Sequence, residues 1–128
     1  MIEPYLEGIY QELFLSRVVT SFKVFRRETG DEDGYVRIRC SLLNGQILEF
    51  AEYFIARKRK IHIETYSYHW QDVDGNLIKR WDNVPHHKEV DTFPHHLHLS
   101  DGRIISSQPA TLKKVLLDIE KTIPDEEQ

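Results

Sequence analysis

Residues 35–56 read YVRIRCSLLNGQILEFAEYFIA. From Tyr35 to Leu43 they alternate: Val36, Ile38, Cys40 and Leu42 fall on one side, and Tyr35, Arg37, Arg39 and Ser41 on the other. A period of two is the signature of a strand with one buried face. Asn44-Gly45 follows. It is the strongest short hairpin signal, because both residues accept the left-handed backbone of a tight two-residue turn. The next run, 47–56, carries Leu48, Phe50 and Phe54 on one face and should return antiparallel to the first. A sheet built this way needs a cover on its apolar face and can leave the other face wet.

The pattern extends in both directions. Upstream, VVTSFKVFRR (18–27) reads as a strand and TGDEDG (29–34) as a turn. Downstream, Arg57-Lys58-Arg59-Lys60 reads as a solvated turn. IHIETYSYHW (61–70) and LIKRWD (77–82) are strands separated by Asp74-Gly75. The ends change period. Leu6, Ile9, Tyr10, Leu13 and Phe14 are spaced for a helix over about 4–16, with Pro4 in its first turn. Leu112, Val115, Leu116, Ile119 and Ile123 are spaced for a second over about 109–123, with Pro109 at its first position and Ser107 or Gln108 as its cap. Between sheet and second helix lies a histidine-rich loop, 83–108, in which Asp101-Gly102 is a turn and Arg103-Ile105 a short strand. An acidic tail, 124–128, closes the chain. The expectation is one α+β domain over 1–128: an antiparallel sheet of about five or six strands with the N- and C-terminal helices packed on one face.

The 128 residues are 40% hydrophobic and 30% charged, enough to bury a core and unlike a disordered chain. Cys40 is the sole cysteine, so no intrachain disulfide forms and a cytoplasmic location is expected. The N-terminus lacks the basic start and apolar core of a signal peptide, and no apolar run approaches the ~18 residues of a membrane helix. The net charge of −4 is uneven. Residues 17–88 hold 13 of the 17 Lys and Arg but 10 of the 21 Asp and Glu, so the middle of the chain can face a polyanion.

Five of the seven histidines, His86, His87, His95, His96 and His98, fall within 13 residues. Imidazole ordinarily titrates near neutral pH, and three readings follow. In the first, two histidines serve as base and acid on an RNA phosphodiester. Lys79, Arg80 or Lys88 meets the phosphate, and Tyr68, Trp81 or their aromatic neighbours stack on bases. That reading requires no cofactor. In the second, His96 and His98, an H-x-H pair that shares a face if extended, chelate Zn²⁺ or another divalent ion, with Asp82, Asp91, Asp101 or a histidine from 86–87 completing the shell. In the third, histidines merely tie the loop to backbone carbonyls. That reading is preferred for His62 and His69, and function is preferred for His86, His95, His96 and His98. Cys40, alternating with apolar residues, reads as core.

Tyr68-His69-Trp70-Gln71-Asp72, Asp74-Gly75, Arg80-Trp81-Asp82-Asn83, Pro85-His86-His87 and Thr92-Phe93-Pro94-His95-His96 with His98 together resemble the TumE-type toxin family of prokaryotic type II toxin–antitoxin pairs. The resemblance spans roughly the C-terminal two-thirds of the chain. It implies a growth-inhibiting toxin neutralised by a small DNA-binding antitoxin, and it carries His86, His95, His96, His98, Arg80 and Asp82 over as candidate catalytic residues. RNA as the target rests on the histidines and on analogy with other small toxins. Two further functions are open: a non-enzymatic module holding a divalent metal or phosphate, and a pure protein-interaction domain. An exposed edge strand would permit a homodimer.

Overall fold

The computed structural model describes residues 1–125. They run α1 (Ile2–Leu15), β1 (Val19–Thr29), β2 (Asp33–Leu42), β3 (Ile47–Arg57), β4 (Lys60–Gln71), β5 (Leu77–Asp82), β6 (His96–Leu99), β7 (Ile104–Ser106) and α2 (Leu112–Thr122). The seven strands form one antiparallel sheet in which every neighbour in space is a neighbour in sequence. The Asn44-Gly45 turn joins β2 to β3, with Gly45 left-handed at φ +83° and the Leu42 N–H on the Gln46 carbonyl at 2.9 Å. Asp74-Gly75 and Asp101-Gly102 close the β4–β5 and β6–β7 hairpins in the same way. The basic turn differs. Lys58 and Arg59 both adopt positive φ, 52° and 62°, between paired Arg57 and Lys60, a conformation that costs non-glycine residues about 1–2 kcal/mol each.

The strand count exceeds the expected five or six because the stretch 83–108 contains β6. His96-Leu97-His98-Leu99 alternates, but four residues are too few for a periodic signal, and imidazoles disguise the polar half. β6 forms because β5 offers it a complete ladder, Asp82 opposite His96 and Arg80 opposite His98.

Both helices cover one face. Leu6, Ile9 and Leu13 of α1 and Val115, Leu116 and Ile119 of α2 pack on Ile38, Cys40, Phe50, Phe54, Tyr68 and Trp70. Each large apolar side chain buried here contributes roughly 1.5–3 kcal/mol. Cys40 is fully enclosed, and burial pushes its thiol up to about 12. Gly34 is needed where β2 passes β3, since a Cβ there would lie 2.6 Å from the Phe54 ring. The core also encloses one acid, Glu52, 2% exposed, whose two oxygens accept from the hydroxyls of Tyr5 and Tyr68. Burial raises its pKa despite those bonds.

The C-terminal helix starts later than the sequence suggests. Its cap is Thr111, whose hydroxyl accepts the Lys114 N–H at 3.2 Å, so Ser107, Gln108 and Pro109 precede the helix in extended chain. A cap side chain that accepts the N–H three residues on, in the first turn, outweighs the preference of proline for the first helical position. Of the acidic tail, residues 126–128 lie outside the described residues. Among the described residues, no helix is long and apolar enough to cross a membrane.

Candidate functional site

The face away from the helices is polar, and strand register dictates its order. Arg39 stands opposite Glu49, Glu49 opposite His69, His69 opposite Arg80 and Arg80 opposite His98. The adjacent row is Arg37, Ala51, Ser67, Asp82 and His96. Each row crosses four interstrand gaps of about 4.8 Å, so the polar lane is about 19 Å long. Glu49 occupies the arginines at one end, 2.8 Å from Arg37 and 3.6 Å from Arg39. Arg80, 39% exposed, lies at the other end.

That end holds a buried cluster. The segment 83–95 folds back over β5 and β6 and lays the His87 ring against His96, centroids 4.8 Å apart, and beside His98 at 5.7 Å. The Asp82 and His96 side chains are thereby 4% and 1% exposed, although they sit on the open face. Asp82 Oδ1 lies 2.9 Å from His96 Nε2, and Oδ2 lies 3.3 Å from His98 Nε2. The two Nε2 atoms are 3.1 Å apart. Asp82 also accepts the Val84 N–H at 3.0 Å and the Arg80 Nε–H at 3.2 Å. His96 Nδ1 donates to the Pro94 carbonyl at 2.8 Å, and His87 Nδ1 faces Glu89 at 3.2 Å, so in both rings Nε2 is the nitrogen left for the cluster. Burial holds His98 below the ordinary imidazole value. Asp82 opposes that shift, while His96, Arg80 and His87 add to it. Burial and Arg80, whose Nη1 is 3.5 Å from His69 Nδ1, also lower His69.

The chain carries a family signature across this region. A model of the family described as Toxin TumE matches residues 9–126. The chain belongs to the TumE toxin family. It is thus the toxin component of a toxin–antitoxin system, and the family implies a cognate antitoxin as partner. No match was found among curated proteins or among solved structures.

In this TumE-family fold the sequence-derived candidates divide. Arg80, Asp82, His96 and His98 meet at one point, as the extended H-x-H geometry requires. His95 does not. It lies on the helix side, stacked on Tyr66, whose hydroxyl meets its Nδ1 at 2.8 Å and accepts the Ala110 N–H. His86 and Lys88 are exposed in the loop, outside the cluster. Tyr68, 1% exposed, and Trp81, 8%, are core residues under the helices and present no stacking surface. Lys79 shares that side, 2.8 Å from Asp118 of α2. The expectation of a platform built from Lys79, Tyr68 and Trp81 therefore fails on strand parity, because 79 and 81 face opposite to 80 and 82. His87 enters the cluster in place of His86, and His69 joins Arg80. For His87 the available signal was weak, since adjacent residues in an aperiodic loop carry no information on which one turns inward. For His69 the signal was its odd–even separation from Tyr68 and Trp70.

The cluster also constrains the chemistry. In an in-line displacement at phosphorus, base and acid each reach about 3 Å to oxygens on opposite sides. Their nitrogens then stand roughly 6 Å apart or more. His96 and His98, at 3.1 Å, act as one group and not as a base–acid pair.

Proposed function

We propose that this toxin acts on RNA, cleaving a phosphodiester held on the open face of the sheet between Arg80 and the rim of the imidazole cluster. The observation that supports this reading is a cluster of three imidazoles, two of them on one buried carboxylate, with an accessible guanidinium beside it. Buried polar groups gathered at one point, with one side open, are the arrangement of a reactive site.

The roles follow from position. The Arg80 guanidinium donates to the non-bridging oxygens and offsets the charge that grows on them. The cluster receives the proton of the 2′-hydroxyl as its oxygen bonds to phosphorus. The bond from phosphorus to the 5′-oxygen breaks, and water at the open surface protonates that oxygen. The products are a 2′,3′-cyclic phosphate and a 5′-hydroxyl. Asp82 and His96, enclosed, fix the rim imidazoles and do not touch the RNA. The lane from Arg80 toward Arg37 and Arg39 offers the strand further cationic contacts, so binding should weaken as salt rises.

The test is expression without antitoxin, followed by incubation of purified protein with RNA. Growth arrest and RNA ending in cyclic phosphate are expected, and His98→Ala should abolish both while circular dichroism stays unchanged. Intact RNA under conditions where growth still arrests would refute the reading.

A further inference from the structure

We infer that Asp82, His87, His96 and His98 form a binding site for one divalent cation of the zinc class. This rests on the same site as the RNA reading but needs no RNA.

The distances carry the inference. Zinc bonds imidazole nitrogen and carboxylate oxygen at about 2.0–2.2 Å, so neighbouring ligand atoms of a tetrahedral site are about 3.3 Å apart. His96 Nε2 lies 3.1 Å from His98 Nε2 and 2.9 Å from Asp82 Oδ1, and the other carboxylate oxygen, Oδ2, lies 3.3 Å from His98 Nε2. The His87 ligand nitrogen lies within 4.8 Å of the other two imidazole nitrogens. It comes from a loop and would have to move inward to take the fourth corner. Three nitrogens and one oxygen suit zinc and its borderline neighbours, and they disfavour magnesium or calcium, which take oxygen ligands.

Protons alone satisfy the triangle poorly. A hydrogen on His96 Nε2 serves Asp82 but leaves the His98 lone pair facing Asp82 Oδ2. Hydrogens on both Nε2 atoms serve Asp82 twice but face each other across 3.1 Å. A hydrogen on His98 alone leaves His96 and Asp82 meeting lone pair to lone pair at 2.9 Å. With Asp82 ionised, each of these protonations leaves one contact between like groups, whereas a cation among them satisfies all three.

The outer contacts have the matching form. Metal-binding histidines usually donate their second N–H to a carbonyl or carboxylate. His96 does so to Pro94, and His87 faces Glu89. Arg80 holds Asp82 from outside. A dication and Arg80 against one carboxylate leave net positive charge at the open surface, which favours a phosphate there.

The test uses the untagged full chain and no RNA. Zn²⁺, and separately Mg²⁺, is titrated against a chromophoric chelator, with circular dichroism as the fold control. One equivalent of Zn²⁺ and no competing Mg²⁺ are expected. His87→Ala and His98→Ala, both at the rim, should each weaken binding by about 100-fold or more, while His86→Ala and His95→Ala leave it unchanged. Less than half an equivalent of Zn²⁺, or equal affinity in His98→Ala, overturns the site. Because binding is read without nucleic acid, its failure leaves the phosphodiester reading standing, and uncleaved RNA leaves the cation site standing.

Discussion

The sheet encloses one acid on each face, and the two have opposite surroundings. Glu52, under the helices, is held by two phenolic hydroxyls that can only strengthen a carboxylate's hydrogen bonding at neutral pH. Asp82, on the open face, is held by two imidazoles, a side-chain type that can both donate and accept a proton, and by a guanidinium that reaches solvent. Both side chains are almost fully buried. Burial of an acid therefore does not mark a site in this molecule. What distinguishes the two is the chemistry of their partners.

The sharpest way to break this contrast is to neutralise each acid with its isosteric amide. Asp82→Asn should abolish growth inhibition with the fold retained, whereas Glu52→Gln should inhibit growth as the parent does, read from colony counts after induction. Equal toxicity of the two variants would erase the distinction between the faces. Next in size is Arg80→Ala. Loss of one charge-stabilising donor should lower the RNA cleavage rate about 100-fold, about 2.7 kcal/mol of transition-state stabilisation, measured on a labelled oligonucleotide.

A smaller effect concerns stability. The pKa of Glu52 is raised in the folded chain. Its contribution to stability is therefore fully present below the ordinary carboxylate range and is lost as pH rises through the raised value. Glu52→Gln carries no such loss. Urea midpoints should show the variant gaining on the parent as pH rises above the ordinary carboxylate range, and a constant difference would contradict the burial argument. The smallest effect is expected at Lys79→Met. Removal of the partly exposed contact with Asp118 should cost about 0.5 kcal/mol by chemical denaturation and leave RNA cleavage unchanged. A large loss of cleavage would return Lys79 to the site.

Strands were legible wherever alternation ran for eight residues or more, as in Tyr35–Leu42, and hairpins wherever Asn-Gly or Asp-Gly stood between such runs. Strand parity also placed Arg80 and Asp82 on one side and Lys79 and Trp81 on the other. It did not say which side the helices cover, because both carry an aromatic or a long side chain at some position. That missing sign is why Tyr68 and Trp81 read as stacking residues and emerged as core. The histidine loop was legible in its chemistry and not in its geometry. The Thr92 hydroxyl, which donates to the His95 carbonyl at 2.7 Å and accepts the Ser107 N–H at 2.8 Å, helps set its path, and contacts 15 residues apart leave no periodic trace.

Local backbone preference and a two-residue period are properties of short stretches, so sequence alone determined the α+β class and the hairpin order. The pairing of His96 and His98 with Asp82, the packing of His87 on those rings, the exile of His95 to the far face and the closing of Glu52 between Tyr5 and Tyr68 were decided only in three dimensions. Each depends on which segment covers which face, and that choice is made by the summed burial of the whole sheet.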